Sequence, residues 1–306
     1  MDKNRRKFIK ATSAFALGAA VFPQFACANK GTSAGVEAKE TSQNAVKNAD
    51  KLDKFGIQLW TVKDDFIKDP KGTLKEIASY GYQQIEGFEM EQGLFWGMTP
   101  KEYKDYVESL GMKLVASHCN TSENFEKKAE QAASIGIDYL ICPWKGPQKS
   151  MDDWKKVTDE FNSYGEICRK AGIKFAYHNH AYSFRAFTGM IPHQFIMDNT
   201  DPDLVYHEMD IYWVVTGGAN PIEYLEKYSG RFRLCHIKDR LKDAGDDVRL
   251  ASCNLGTGKI DFAKILKVAK ENGMEYYFME QERYDNGSPM ESAKVGATYL
   301  KNLEIA

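Results

Sequence analysis

From Phe55 onward, short apolar runs alternate with longer segments whose apolar positions recur at helical spacing. The short runs are Phe55–Trp60, Gln83–Phe88, Lys113–His118, Tyr139–Pro143, Ile173–His178, Leu204–Asp210, Arg233–Ile237 and Tyr276–Gln281. Between them, Lys71–Tyr80, Pro100–Leu110, Ser122–Ile135, Met151–Ala171, Pro221–Tyr228 and Phe262–Asn272 read as amphipathic helices. Gly81, Gly111, Gly136, Gly172 and Gly273 stand where those helices stop, as C-capping predicts. Strand, helix, glycine, strand is the pattern of a parallel sheet with crossover helices. Eight such units in about 250 residues predict an α/β fold, the (β/α)8 TIM barrel. An open, doubly wound sheet is the rival. No G-x-G-x-x-G follows the first run, which speaks against it.

A barrel of this kind draws its chemistry from the C-terminal ends of its strands. Those ends carry Trp60, Glu86, His118, Trp144, His178, His180, Asp210, His236, Lys238, Glu280 and Glu282. Strand side chains alternate between faces, so Glu208 shares a face with Asp210, His236 with Lys238, Glu280 with Glu282, and His178 with His180. Each such group has a purely structural explanation, a satisfied hydrogen bond at a strand end. Four consecutive strands closing on ligand-type residues are harder to explain that way. Carboxylates and imidazoles converging on one mouth predict a single divalent metal site, whose mixed donors admit Mn, Mg, Co, Fe or Zn. No serine or cysteine nucleophile sits in a recognisable motif.

The first fifty residues break the pattern. Met1–Lys10 carries Arg5, Arg6, Lys7 and Lys10, an uncharged and mostly apolar stretch follows to Phe22, and Ala26-Cys27-Ala28 offers a small-x-small cleavage site. Residues 1–28 are expected to be a signal peptide. Arg5-Arg6-Lys7-Phe8-Ile9-Lys10 resembles the twin-arginine export motif, so an exported, periplasmic protein is expected, with a lipid anchor at Cys27 as a variant. Residues 29–52 are polar and poor in large apolar side chains, which predicts a flexible tether before a barrel at 53–306. Without residues 1–28 the chain holds 36 basic and 42 acidic residues, a net charge of −6. That balance argues against nucleic acid as a partner. No uncharged apolar run approaches the ~18 residues of a transmembrane span. Cys142 and Cys235 lie inside apolar runs, and free buried thiols are expected rather than disulfides.

Four runs carry a family resemblance: Tyr177-His178-Asn179-His180, Glu208-Met209-Asp210-Ile211-Tyr212-Trp213, His236-Ile237-Lys238-Asp239 and Met279-Glu280-Gln281-Glu282. With the glycine loop Leu255–Asp261, they resemble the xylose isomerase-like TIM-barrel superfamily, in its sugar (phosphate) isomerase/epimerase branch. The likeness spans roughly Lys54–Leu303. It implies one divalent cation held from strands five to eight, with Asp210, His236 and Glu280 as the matching ligands. The usual strand-five glutamate is absent. His178 stands there as the expected fourth ligand, with His180 as runner-up, and a further glutamate of the pattern is replaced by Ser183.

The implied activity is proton abstraction next to a carbonyl of a small carbohydrate, by Glu280 with Glu282 second, giving isomerisation or epimerisation. Lys238 would hold the substrate oxygen as charge develops; an ordinary surface ion pair is the alternative. Glu86, His118 and His180 are expected to contact substrate, and Trp60, Trp144 and Trp213 to offer flat faces to sugar rings. With one carboxylate lost, elimination by a single base, as in a 3-keto-glycoside lyase or hydratase, is the close alternative. A degenerate sugar-binding barrel and an abasic-site endonuclease rank lower. The oligomeric state is not legible.

Overall fold

The computed structural model describes residues 50–245, 250–284 and 287–305. The expected signal segment at 1–28, with Cys27, and the tether as far as residue 49 lie outside the described residues. Eight parallel strands close a barrel: β1 (Gly56–Gln58), β2 (Gln84–Phe88), β3 (Lys113–His118), β4 (Tyr139–Cys142), β5 (Lys174–His178), β6 (Val205–Asp210), β7 (Phe232–Ile237) and β8 (Tyr276–Met279). Strand β8 pairs with both β7 and β1, which completes the ring. The architecture is the expected (β/α)8 barrel.

Around the ring run α1 (Lys63–Lys68), α2 (Pro70–Tyr80), α3 (Pro100–Ser109), α4 (Phe125–Ser134), α5 (Met151–Ala171), α6 (Pro192–Asn199), α7 (Ile211–Thr216), α8 (Pro221–Lys227), α9 (Phe262–Glu271) and α10 (Pro289–Asn302). Local chemistry sets their ends. Thr99 and Ser288 form capping boxes with Glu102 and Glu291, and Gly172 closes α5 at φ 83°. Four helices, α1, α6, α7 and α10, lie outside the six read from the pattern, and two of them show why. Helix α7 reads Ile-Tyr-Trp-Val-Val-Thr and is buried almost all round, so no polar stripe marks it. Helix α10 carries Gly296 in its interior, where a β-carbon would meet Met279 Cγ at 2.7 Å; the helix lies too close to β8 for a side chain. The first strand is also shorter than expected. Gln58 accepts from the Trp60 amide at 2.9 Å and turns the chain into a 3-10 helix at Leu59–Val62, so Trp60 reaches the mouth from a turn.

The barrel interior is graded. Its lower part is filled by Val115, Ala116, Tyr139, Ile141, Ala176, Leu234 and Phe278, with Tyr206 and Tyr276 below. Alternation then brings Glu208, His236 and His178 up one layer, followed by Asp210, Lys238 and Glu280 at the rim. An apolar plug closes one end and a polar mouth opens the other. At the closed end Asp50–Lys51, which the sequence places in the tether, pair antiparallel with Glu304–Ile305. Cys119, Cys142, Cys168, Cys235 and Cys253 are free and buried. Among the described residues, no helix is long and apolar enough to cross a membrane.

Candidate metal centre and active-site cavity

The mouth holds two stacked layers of charged side chains. In the lower layer, Glu208 Oε2 is met by His118 Nε2 at 2.8 Å and His178 Nδ1 at 2.9 Å. Glu86 Oε2 lies 2.5 Å from His236 Nε2. In the upper layer, Lys238 Nζ contacts Asp210 Oδ2 at 2.9 Å, Glu280 Oε2 at 2.7 Å and Glu282 Oε2 at 2.9 Å. Histidines join the layers. His236 Nδ1 stands 3.1 Å from Glu280 Oε2 and 3.8 Å from Asp210 Oδ2, and His178 Nε2 stands 3.9 Å from Asp210 Oδ2. Each of these two imidazoles has one nitrogen on a carboxylate below and the other facing the rim. That is how proteins fix the tautomer and aim of a metal-binding histidine.

Backbone contacts hold the upper layer still. The Asn179 side chain donates to the Asp210 carbonyl and accepts from the Asp210 amide, both at 3.1 Å. Asp210 Oδ1 caps α7 by accepting from the Trp213 amide at 2.9 Å, which leaves Oδ2 for the site. Beside Lys238, Asp239 turns away. Its carboxylate accepts backbone amides of Arg240, Gly256, Gly258 and Ile260, stapling the glycine loop that follows β7. A β-carbon on Gly258 would sit 2.2 Å from Asp239 Oδ1, so the loop is seated tightly against Asp239.

Electrostatics follow the geometry. Burial pushes the Glu208 carboxyl up, but His236, His118 and His178 outweigh it and hold it well below the usual range. Burial likewise opposes the charge on Lys238, yet Asp210, Glu280 and Glu282 raise its affinity for a proton well above normal. Glu280 is held well below the carboxylate range because Lys238 and His236 overcome its burial. Burial and the Glu208 charge lift Glu86 to about 8. Burial presses His236 down, and the surrounding carboxylates raise it well above 6.5.

The donor set fits a divalent cation. Glu86, Glu208, Asp210, Glu280 and Glu282 converge with a single ammonium, so buried negative charge exceeds fixed positive charge unless imidazoles take up protons. Glu208 Oε1 and Glu86 Oε1 are buried without a hydrogen bond, and Asp210 Oδ2 has the Lys238 contact but no well-aligned one. Ligand atoms of Asp210, His236 and Glu280 lie within 4.8 Å of one another, as do those of His118, His178, Glu208 and His236. Mixed imidazole and carboxylate donors in a buried pocket are compatible with a divalent metal.

Above the cluster lies a cavity of about 450 Å³, walled by His118, His178, His180, Lys238, Glu280 and Glu282 below and by Trp60, Trp144 and Trp213 at the sides. His118, His180, Trp60 and Trp144, expected to contact substrate, all line this cavity. Glu86 does not: it is fully buried under His236 and forms no part of the cavity wall. From beneath the imidazoles it can orient His236 but cannot reach a hydroxyl in the cavity as expected. Lys238, with an ordinary surface pair as the alternative reading, is only 1% exposed and bound by three carboxylates. Glu208 is the carboxylate least weighted in the sequence, although it sits two residues before Asp210 on the same strand face.

A family model described as xylose isomerase-like TIM barrel matches residues 74–303. Among curated proteins, an inosose dehydratase of Clostridium beijerinckii is 28% identical over 222 residues, covering 66% of this chain and 70% of that protein. An inosose dehydratase of Geobacillus kaustophilus is 23% identical over 281 residues, 78% and 88% of the two chains. Among solved structures, a sugar phosphate isomerase/epimerase from Parabacteroides distasonis has a TM-score of 0.71 at 28% identity, covering 81% of this chain and 98% of that one. An IolI protein with a bound zinc atom has a TM-score of 0.65 at 18% identity, covering 80% and 96%. That last likeness is one of fold.

Proposed function

The chain belongs to the xylose isomerase-like TIM-barrel family, and from that premise we propose that it is a metal-dependent lyase. Its substrate would be a keto-sugar or cyclic keto-polyol that loses a group one carbon beyond the carbon giving up the proton. The carrying observation is the asymmetry of the cavity. Carboxylates and their ammonium, Glu280, Glu282 and Lys238, stand on the β7–β8 wall, while the chain at the β5 wall offers His178 and His180 and no carboxylate. Elimination needs one base; epimerisation needs an acceptor on each face of the carbon. The inosose dehydratase relatives point to the same class.

Asp210, His236 and Glu280, with His178 as fourth, would hold the cation; two imidazoles in the set favour Zn, Mn, Co or Fe over Mg. The bound cation supplies Lewis-acid polarisation of the substrate carbonyl. Glu280 Oε2 is held by Lys238, and its Oε1 is left to accept the proton next to that carbonyl. Lys238 remains protonated and steadies the negative oxygen as the C–H electron pair moves toward the carbonyl. That pair then forms the C=C bond, the C–O bond to the leaving group breaks, and Glu280 returns its proton to the departing oxygen. One carboxylate serves throughout.

A second reading is isomerisation or epimerisation. It is supported by the Parabacteroides neighbour and by His180, whose Nδ1 is buried without a hydrogen-bond partner on the facing wall. NMR of the metal-loaded protein in deuterated water, with an inosose and with methyl 3-keto-β-glucoside, separates the two. A new C=C bond with release of water or methanol, lost in Glu280→Gln, is expected. Deuterium incorporation with inversion and no bond cleavage would replace the lyase with the epimerase.

A further inference from the structure

Behind the catalytic cavity lies a second one, of about 330 Å³. The two share three walls: Trp144, His180 and Trp213 line both. The partition is aromatic, with the Trp144 and His180 rings edge to face at 4.5 Å and the His180 and Trp213 rings stacked at 5.4 Å. Trp144, almost half exposed, forms the crest between the chambers. Gly146, at φ 77°, turns the chain beneath it, and Tyr182 Oη fixes that turn by accepting from the Gly146 amide at 3.0 Å. The partition is therefore built, and the two chambers adjoin across it.

The annexe also holds polar groups with nothing to bond. Thr216 is 3% exposed and lines this chamber, and its Oγ1 has no hydrogen-bond partner. His180, which lines both chambers, has an Nδ1 that is buried and equally unpartnered. Buried hydroxyls and imidazoles are ordinarily satisfied, so the orphan Thr216 hydroxyl on the annexe wall, with the orphan His180 nitrogen in the shared partition, marks a place where a ligand supplies the partners. Arg185 stands at the edge of the same chamber, exposed and without an ion pair among the described residues. Flat aromatic faces together with hydrogen-bonding groups match a pyranose ring, which presents an apolar C–H face and hydroxyl edges.

We propose that the annexe is a subsite for a second sugar ring, so that the leaving group is a sugar and the substrate is a keto-disaccharide. This inference rests on the lyase reading for its chemistry and on the annexe alone for its binding. In the step, the keto ring sits over Glu280 and Lys238 while the second ring lies beyond Trp144. The C–H pair becomes the C=C bond, the glycosidic C–O bond breaks, and the second sugar departs with the returned proton on its oxygen. No water is consumed.

The test is ligand-observed NMR on the metal-loaded chain with unoxidised sugars, which bind without reacting: methyl β-glucoside, 4-nitrophenyl β-glucoside, and a panel of glucose disaccharides differing in linkage. At least one disaccharide should bind tenfold or more tightly than methyl β-glucoside. That ratio should collapse in Thr216→Val, which keeps the shape and removes the hydroxyl, and fall in Arg185→Ala. Equal affinities for methyl glucoside and every disaccharide would overturn the subsite. So would 4-nitrophenyl glucoside matching the best disaccharide, since stacking alone would then explain the annexe. The elimination assay reads out separately. Disaccharide preference without C=C formation faults the reaction and keeps the subsite, whereas elimination from methyl 3-keto-glucoside without preference does the reverse.

Discussion

At the scale of single residues, the site works through pairs in which one member aims the other. Glu86 fixes His236 and Glu208 fixes His178, each from below the proposed cation site. Glu86→Gln and Glu208→Gln should therefore each weaken metal affinity about 10–100-fold while leaving the ligands in place. A competition titration against a chromogenic chelator measures this, and unchanged affinity in both would show the lower layer to be mere packing. Asp210→Ala or His236→Ala should abolish stoichiometric metal outright, by elemental analysis. A second pair lies outside the barrel wall, where His193 and His207 are fully buried 5.3 Å apart and neither His207 nitrogen has a partner. Burial holds His193 down to about 3 and His207 well below its usual value. The unfolded chain then binds more protons than the native one below about pH 6.5, so this contribution is present above pH 6.5 and lost as pH falls toward 3. His193→Phe should flatten that acid limb by about 1.4 kcal/mol per pH unit, read from urea midpoints between pH 4.5 and 6.5. An unaltered slope would remove His193 from the account.

Among the elements, the loop after β7 carries the clearest test. Asp239 gathers four backbone amides, and Asp239→Ala should cost about 2–4 kcal/mol by leaving buried donors unmade. Hydrogen exchange should report lost protection at Gly256, Gly258 and Ile260 before global unfolding; intact protection would refute the staple. The same elements show what could be read in advance. Period-two alternation made the rim legible, because Asp210, His236 and Glu280 must share a face once their strands are parallel. The apolar plug and the order of the layers above it emerge only with the closed ring. What escaped depended on tertiary contact. Helix α7 has no polar face, α10 has a glycine set by its distance from β8, and Glu86 looked like a rim residue because nothing local says how deep its strand end lies. The annexe escaped too: Trp144, His180 and Thr216 come from three different crossovers, and only the closed ring brings them together.

For the whole molecule, the cation and the fold should be coupled. A cluster of buried carboxylates is self-repelling without its ion, so binding should stabilise the native state by about 2.7 kcal/mol at a hundredfold excess over Kd. For a domain of this size that corresponds to a rise of roughly 5–10 °C in Tm. Differential scanning calorimetry of chelator-stripped and reloaded protein checks it, and identical melting curves would deny that a cation belongs in the cluster. The grading of the barrel, plug below and charge above, has the further effect that unbalanced charge is confined to one end. The small ladder at the plugged end, Asp50 against Ile305 and Lys51 against Glu304, brings the two ends of the described fold within one hydrogen-bonded rung. The ring of strands thus has no privileged starting point. A circular permutant that joins these ends through a short glycine linker and opens between Gly111 and Met112, a turn on the plugged face, would run the same eight strands in rotated order. Its mouth would contain no seam.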